Sequence, residues 1–408
     1  MITGANATEK DFEDINRNYS DEISTTSSVI DKLEERRKNA MRGGVNCIPF
    51  PFERFRTEVP GIEQEQYVII TASTKVGKSQ LANYLYLYNV LDYCFEHPDR
   101  CSCHIIYFAL EESKQRIIER YMSHLLYKLD GHRIAPVDLR STSVDYPVDP
   151  EIIQLLKSEK YQERFRFFEQ CVEFDTENTN PTGILRTCEA YAKSVGTYKS
   201  NTITSNSDWT KEVEVFDDYI QNDPNHYKIV IIDHISLVDK EQGFGKKETI
   251  DKVSEYFVKY LRNRYKYTCV VIQQQAAEAE GLEALKQKRI VPSNSTGGDS
   301  KYTFRDCNLA LGLFDPSRLG FATWPQKDGY DIATGLKNYA RFMNVIANRD
   351  GEIGGICPLF FDGAVCDFEE LPRPDDPDII KYYNKAAQLK SWKQQKKLQQ
   401  LSLFNFFK

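Results

Sequence analysis

Tyr67-Val68-Ile69-Ile70-Thr71-Ala72-Ser73-Thr74-Lys75-Val76-Gly77-Lys78-Ser79-Gln80 is the stretch on which the reading of the chain turns. Tyr67–Ile70 is a short apolar run, as a buried strand is, and Leu81, Leu85 and Tyr88 then recur at helical spacing. Between them lies a loop of small and polar residues that closes in Gly77-Lys78-Ser79. Strand, loop, Gly-Lys-Ser and helix together make a P-loop. Backbone N–H groups of such a loop and of the helix N-terminus surround phosphate oxygens. Lys78 would reach the β and γ phosphates, and the Ser79 hydroxyl would hold Mg²⁺. Ala72, Ser73, Thr74, Lys75, Val76, Gly77, Lys78 and Ser79 are therefore the candidate nucleotide site, with ATP and Mg²⁺ as expected cofactors. The pattern has glycine in first position. Ala72 stands there instead, and alanine disfavours a positive φ.

The chain has 408 residues, 41% of them hydrophobic, enough for one large domain or two smaller ones with a real core. Its net charge of −7 leaves nucleic-acid binding to local basic patches. No apolar run reaches the length of a membrane span, and the start is polar and acidic, so no membrane partner and a cytoplasmic location are expected. Ten cysteines without a C-x-x-C pair read as reduced thiols. Cys94, His97, Cys101, Cys103 and His104 are zinc-capable groups, but their spacing fits no common structural site, and they read as a reduced turn.

Residues 1–21 are polar and aperiodic, and disorder is expected there. Residues 22–42 read as a helix capped by Ser27 or Ser28, with a thin apolar stripe of Val29, Ile30, Leu33 and Met41, ended by Gly43-Gly44. Segment 22–44 is read as a linker helix docking on a neighbouring subunit; packing on its own domain is the alternative. The main domain, 45–370, opens with a loop anchored by Phe50, Phe52 and Phe55. His104–Leu110 is a second buried strand that runs into Glu111-Glu112-Ser113. Carboxylates at that end of a strand beside the P-loop strand lie where open α/β sheets bind nucleotide. Glu111 is taken as the base that activates water, and Glu112 as an acidic residue favoured at a helix N-terminus.

Residues 127–225 are less regular, with a strand expected within Phe167–Phe174, a helix from Pro181 through Ala192 and a surface insertion at 195–225. Tyr227–Val238 is a third strand, apolar until Asp233, which holds Mg²⁺ in the Walker-B manner or caps the next turn. Lys247–Tyr265 is an amphipathic helix, and Thr268–Ile272 a fourth strand that runs into Gln273-Gln274-Gln275. An amide there reports a γ-phosphate, or is merely a polar strand end. Residues 278–304 carry Lys286, Lys288, Arg289, Ser300 and Lys301, suited to the phosphate backbone of a DNA strand or simply a solvated mobile loop. Asn308–Phe314, Ala340–Ala347 and Ile356–Phe361 are further strands. Leu371–Pro377 reads as a linker into a basic, helix-prone segment, 378–398, and an apolar terminus that should fill a pocket.

The ordered set ASTKVGKS, YFALEES, IVIIDHISLV, VVIQQQ, GGDSKYTFRDCNLALGL and IANRDGEIGG resembles the hexameric DnaB-like replicative helicases, over about residues 45–370. ALEES and DHIS look like the phage branch, which would put the protein in a bacterial host's cytoplasm. The resemblance implies an α/β fold, that of a RecA-like P-loop ATPase with a mainly parallel central sheet flanked by helices, plus an N-terminal linker helix and a C-terminal tail. It implies a homo-hexamer with one single-stranded DNA in its pore, moving 5′ to 3′, with primase, polymerase and helicase loader as candidate partners. By position, Lys78 and Ser79 bind phosphate and Mg²⁺, Glu111 is the base, and Asp233 the Walker-B carboxylate. Gln274 links the γ-phosphate to DNA loops resembled by Ser295–Lys301, and Arg349 is a finger inserted into the neighbouring subunit's site. Ala347 stands where the family has a lysine.

Within the terminal segment 371–408, Gln400-Leu401-Ser402-Leu403-Phe404 resembles a bacterial sliding-clamp-binding peptide. Gln400, Leu403, Phe406 and Phe407 also fit the Q-x-x-L-x-x-F-F box of other clamps. A sliding clamp is therefore an expected partner. A RecA-like strand-binding ATPase of recombination, which forms filaments, and a non-motor clamp-binding adaptor are the other functions compatible with these residues.

Overall fold

The computed structural model describes residues 26–204, 212–275, 291–293, 302–325 and 328–398. Among them a nine-stranded sheet carries the molecule. In chain order its strands are β1 (Tyr67–Ala72), β2 (Ser102–Ala109), β3 (Val172–Asp175), β4 (His226–Asp233), β5 (Thr268–Gln274), β6 (Leu309–Phe314), β7 (Ala340–Asn348), β8 (Ile356–Asp362) and β9 (Asp367–Glu370). In space the order is β9-β8-β7-β6-β1-β5-β4-β2-β3. The pairings from β6 across to β3 are all parallel, and β7, β8 and β9 add an antiparallel flank. Parallel strands are covered on both faces, which is why β1 and β4 read as near-continuous apolar runs. Every residue of β1 is buried.

Alternation along β1 divides two cores. Val68, Ile70 and Ala72 face the helix that follows the P-loop. Tyr67 and Ile69 face the opposite layer, with Phe257 and Leu261. Helix α1 spans Thr26–Met41. Helix α2 runs as α over Lys78–Ala82, as π over Asn83–Tyr88 and as α again over Asn89–Glu96. Helix α3 spans Lys114–Asp130.

The structure departs from the local reading in four places. Ser27 and Ser28 lie inside α1 and not before it, so neither stands at the cap position. The α1 stripe is exposed, Leu33 at 62% and Met41 at 72%, while Arg36 pairs with Glu63 at 2.5 Å. Phe167 and Phe168 belong to a helix, Glu159–Cys171, and only Val172–Asp175 is strand. The helix wins because Tyr161, Phe168 and Cys171 fall on one buried face. Insertion 195–225 is an antiparallel hairpin, Gly196–Thr204 with Glu212–Gln221. Its base is anchored by buried Tyr219, whose hydroxyl donates to Ala192 O at 2.9 Å.

The fourth departure is the stretch read as a linker. Leu371 is fully buried, helix Ile379–Gln388 buries Ile379 and Ala386, and Trp392 is buried beyond it. Leu371, Ile379 and Ala386 complete an apolar cluster with Phe314, Phe342 and Phe360. The expectations for residues 1–21, for Lys286, Lys288, Arg289, Ser300 and Lys301, and for Gln400, Leu401, Leu403, Phe404, Phe406 and Phe407 lie outside the described residues. Among the described residues no helix is long and apolar enough to cross a membrane.

Candidate nucleotide site

β1 delivers the loop Ser73–Gly77 at its C-terminal end, and α2 begins at Lys78. Gly77 has φ +113°, and a β-carbon on it would lie 3.1 Å from the Phe361 ring. Glycine is therefore needed there on conformational and steric grounds. Ala72 carries no such strain: it closes β1 opposite Gln274, and the positive φ values fall instead at Lys75 and Gly77. Alanine in first position thus leaves this loop's shape intact.

Lys78 is buried at the foot of the loop, its Nζ 4.0 Å from Glu111 Oε2. Ser79 Oγ donates to Asp233 Oδ1 at 3.0 Å. The Tyr107 hydroxyl lies 3.3 Å from Asp233 Oδ2 and 3.0 Å from Asn83 Oδ1. Burial pushes the Asp233 carboxyl up to about 6; the Ser79 hydrogen bond opposes this, the Glu111 charge adds to it and Lys78 opposes it. A hydroxyl and a carboxylate oxygen side by side, next to a buried ammonium, are hard donors that suit Mg²⁺ beside a phosphate.

Strand register brings these groups together. Ala109 pairs with Asp233, so β2 and β4 end level. Leu110 N and Glu111 N then both donate to Asp233 O, at 3.0 and 3.1 Å. Glu111 is left 46% exposed at the mouth of the site. Glu112 turns away and pairs with Arg120 at 2.5 Å. From β5, Gln274 Nε2 donates to Thr74 Oγ1 at 2.6 Å, and Gln275 Oε1 accepts from Ser73 Oγ at 3.0 Å. Gln273 is buried and accepts from Thr303 at 2.8 Å. The glutamine run is thus a set of ties to the P-loop on one side and to residue 303 on the other.

Arg349 is not brought to this site. Leu309 lies opposite Val68 on one side and Asn348 on the other. Arg349 therefore sits level with the start of β1, while the P-loop follows its end, about 13 Å further along the strand. Its guanidinium donates to Cys307 O and Arg305 O, at 2.9 and 2.7 Å. Cys94 and Cys101 bring their sulfurs to 3.5 Å, and among the described residues no group of three His, Cys, Asp or Glu is arranged to hold a metal.

Three contributors escaped the sequence reading. Arg341, buried in β7, donates to Val76 O at 2.8 Å and pairs with Asp315 at 2.9 Å. Burial lowers its guanidinium to about 10, with Asp315 opposing the shift. Arg318 donates to Thr74 O. His234 faces Glu111. The available signal was a lone arginine in the apolar run Ala340–Ile346, since a buried charge demands a partner.

No family model matches the chain, and no curated protein matches its sequence. Among solved structures it is similar to a DnaB-like replicative helicase, described together with that protein's interactions with primase. The TM-score is 0.57 at 13% identity, covering 85% of this chain and 67% of that one. It is also similar to a solved ATPase domain of another helicase, with a TM-score of 0.55 at 14% identity, covering 86% of this chain and all of that one. The fold is that of a DnaB-like, RecA-type ATPase domain.

Proposed function

We propose that this chain is the ATP-driven motor of a DnaB-like replicative DNA helicase. The observation that carries the reading is the meeting of Lys78, Ser79, Glu111 and Asp233 at one end of the central strands. Lys78 neutralises the β and γ phosphates, and Ser79 and Asp233 hold Mg²⁺. Bound Mg²⁺ supplies a bridge between β and γ oxygens and offsets their charge. Phosphate competes with Glu111 for Lys78, so substrate binding releases the base. Glu111 takes a proton from water while the water oxygen bonds to the γ-phosphorus. The bond from that phosphorus to the bridging oxygen breaks, and ADP leaves with the electron pair.

Arg349 lies on the opposite edge of the sheet, which suits action on a neighbouring subunit and hence a homo-hexameric ring. The exposed α1 stripe suits a linker helix docked on that neighbour. Gln274, tied to Thr74, would relay nucleotide state to Lys286, Lys288, Arg289, Ser300 and Lys301 on single-stranded DNA, driving it 5′ to 3′. The terminal Gln400, Leu401, Leu403, Phe404, Phe406 and Phe407 would tether the ring to a sliding clamp in a phage-infected bacterial cytoplasm. Primase, polymerase and loader are further partners of this reading.

The test is unwinding of a forked duplex with ATP, comparing the native protein with Lys78→Ala. Unwinding that needs a 5′ tail and disappears in the variant is expected. Hydrolysis stimulated by single strands without unwinding would instead favour a filament-forming recombination ATPase. Neither activity would remove the motor.

A further inference from the structure

We propose that His234 is a positioning residue that holds the Glu111 carboxylate in its working orientation, and that Ser236 sets the tautomer of His234. The inference rests on Glu111 being the base. His234 opens the connection after β4 in an extended conformation, and a 3-10 turn, Ile235–Leu237, follows. Leu237 N donates back to His234 O at 3.0 Å, which fixes the turn. The imidazole is 13% exposed, with Nε2 3.9 Å from Glu111 Oε2. On the other side of the ring, Nδ1 is in hydrogen-bond contact with Ser236 Oγ.

Glu111 Oε2 thus lies between two groups at nearly equal range, Lys78 Nζ at 4.0 Å and His234 Nε2 at 3.9 Å. Lys78 is the one that phosphate claims. His234 is then the neighbour that stays, because its backbone is continuous with Asp233, whose carbonyl already anchors Glu111 N. A Ser236 hydroxyl that donates to Nδ1 places the ring proton on Nε2, the nitrogen facing the carboxylate. The opposite tautomer would set a lone pair against a carboxylate oxygen. A sub-ångström closure makes the Nε2–H···Oε2 bond and leaves Oε1 to accept the proton of the attacking water. Such orientation acts on the chemical step and not on nucleotide affinity.

The experiment measures kcat and KM for ATP hydrolysis by the full chain with Mg²⁺ and single-stranded DNA, and the affinity for a fluorescent ADP analogue. The variants are His234→Phe, His234→Gln, Ser236→Ala and His234→Phe combined with Glu111→Gln. His234→Phe should lower kcat by about 10–100-fold while KM and analogue affinity stay within about twofold. His234→Gln keeps an N–H donor and should recover most of the loss, and Ser236→Ala should fall between. In the Glu111→Gln background, His234→Phe should cost nothing further. An unchanged kcat in His234→Phe, analogue affinity that falls in step with kcat, or additive losses in the double variant would each overturn the proposal. If His234→Phe does not fold, Ser236→Ala decides alone, and an unchanged kcat there overturns it. A native protein that hydrolyses no ATP would instead sink the motor assignment itself.

Discussion

His124 shows how far one buried side chain answers to its surroundings. It lies on α3 with its ring stacked on Tyr88 at 4.7 Å and edge-on to Tyr84 at 5.9 Å. Burial pushes the imidazole from 6.5 down to about 4; Asp92 opposes the shift and Lys128 adds to it. The folded chain therefore holds His124 neutral, and the unfolded chain protonates it more readily. A depressed folded value contributes stability that is fully present above about 6.5 and is lost as pH falls toward about 4. The ceiling is ~3 kcal/mol. Melting curves at pH 7 and pH 4.5 should show a smaller acid loss in His124→Phe than in the native protein. His226, also lowered to about 4 by burial, keeps the loss from vanishing. Equal losses in both proteins would assign the acid sensitivity elsewhere.

The P-loop is an element shaped by its neighbours. Its carbonyls at Thr74 and Val76 accept from Arg318 and Arg341, its hydroxyls meet Gln274 and Gln275, and Phe361 lies under Gly77. Three strands that follow it in the chain, β5, β7 and β8, therefore hold a loop that begins at residue 73. Arg341 is the strongest tie, because Asp315 is itself buried. Arg341→Leu removes the guanidinium and strands that carboxylate, which should cost ~3–5 kcal/mol in denaturant unfolding. Adding Asp315→Asn should return part of it, since the stranded charge is then gone. A loss below about 1 kcal/mol for Arg341→Leu would show that the pair is solvated and the loop self-supporting.

Across the whole molecule, the C-terminal helices behave as part of the domain. Arg133 grips Asp362 through two nitrogens and also donates to Lys390 O. Lys385 pairs with Glu369, and Lys396 with Asp149. A chain stopped after residue 398 should melt like the full protein while losing capture by a sliding clamp. A chain stopped after residue 377 uncovers Phe360 and Leu371 and removes Ile379, Ala386 and Trp392, at ~1.5–3 kcal/mol for each large apolar side chain. Its melting midpoint should drop by several degrees. Equal melting of the two truncations would return residues 378–398 to the role of a loose tether.

Much of the fold was legible in local pattern. Apolar runs marked β1, β2, β4 and β5 because parallel strands buried on both faces leave no polar alternation. Gly77-Lys78-Ser79 marked the turn because a left-handed residue before a helix has a narrow chemistry. Amphipathic faces that need a distant partner were harder. Helix Glu159–Cys171 and the docked segment 378–398 are stabilised by surfaces far away in sequence. The site divides in the same way. Lys78 and Ser79 declared themselves, while the contacts of Asp233 with Ser79, Glu111 with His234 and Arg341 with Val76 arise from strand order and register. The placement of Arg349 on the far edge has the same origin. Local propensity is set by a residue and its nearest neighbours along the chain. Which strand ends lie level is decided by how nine strands pack, and no window of sequence contains that information.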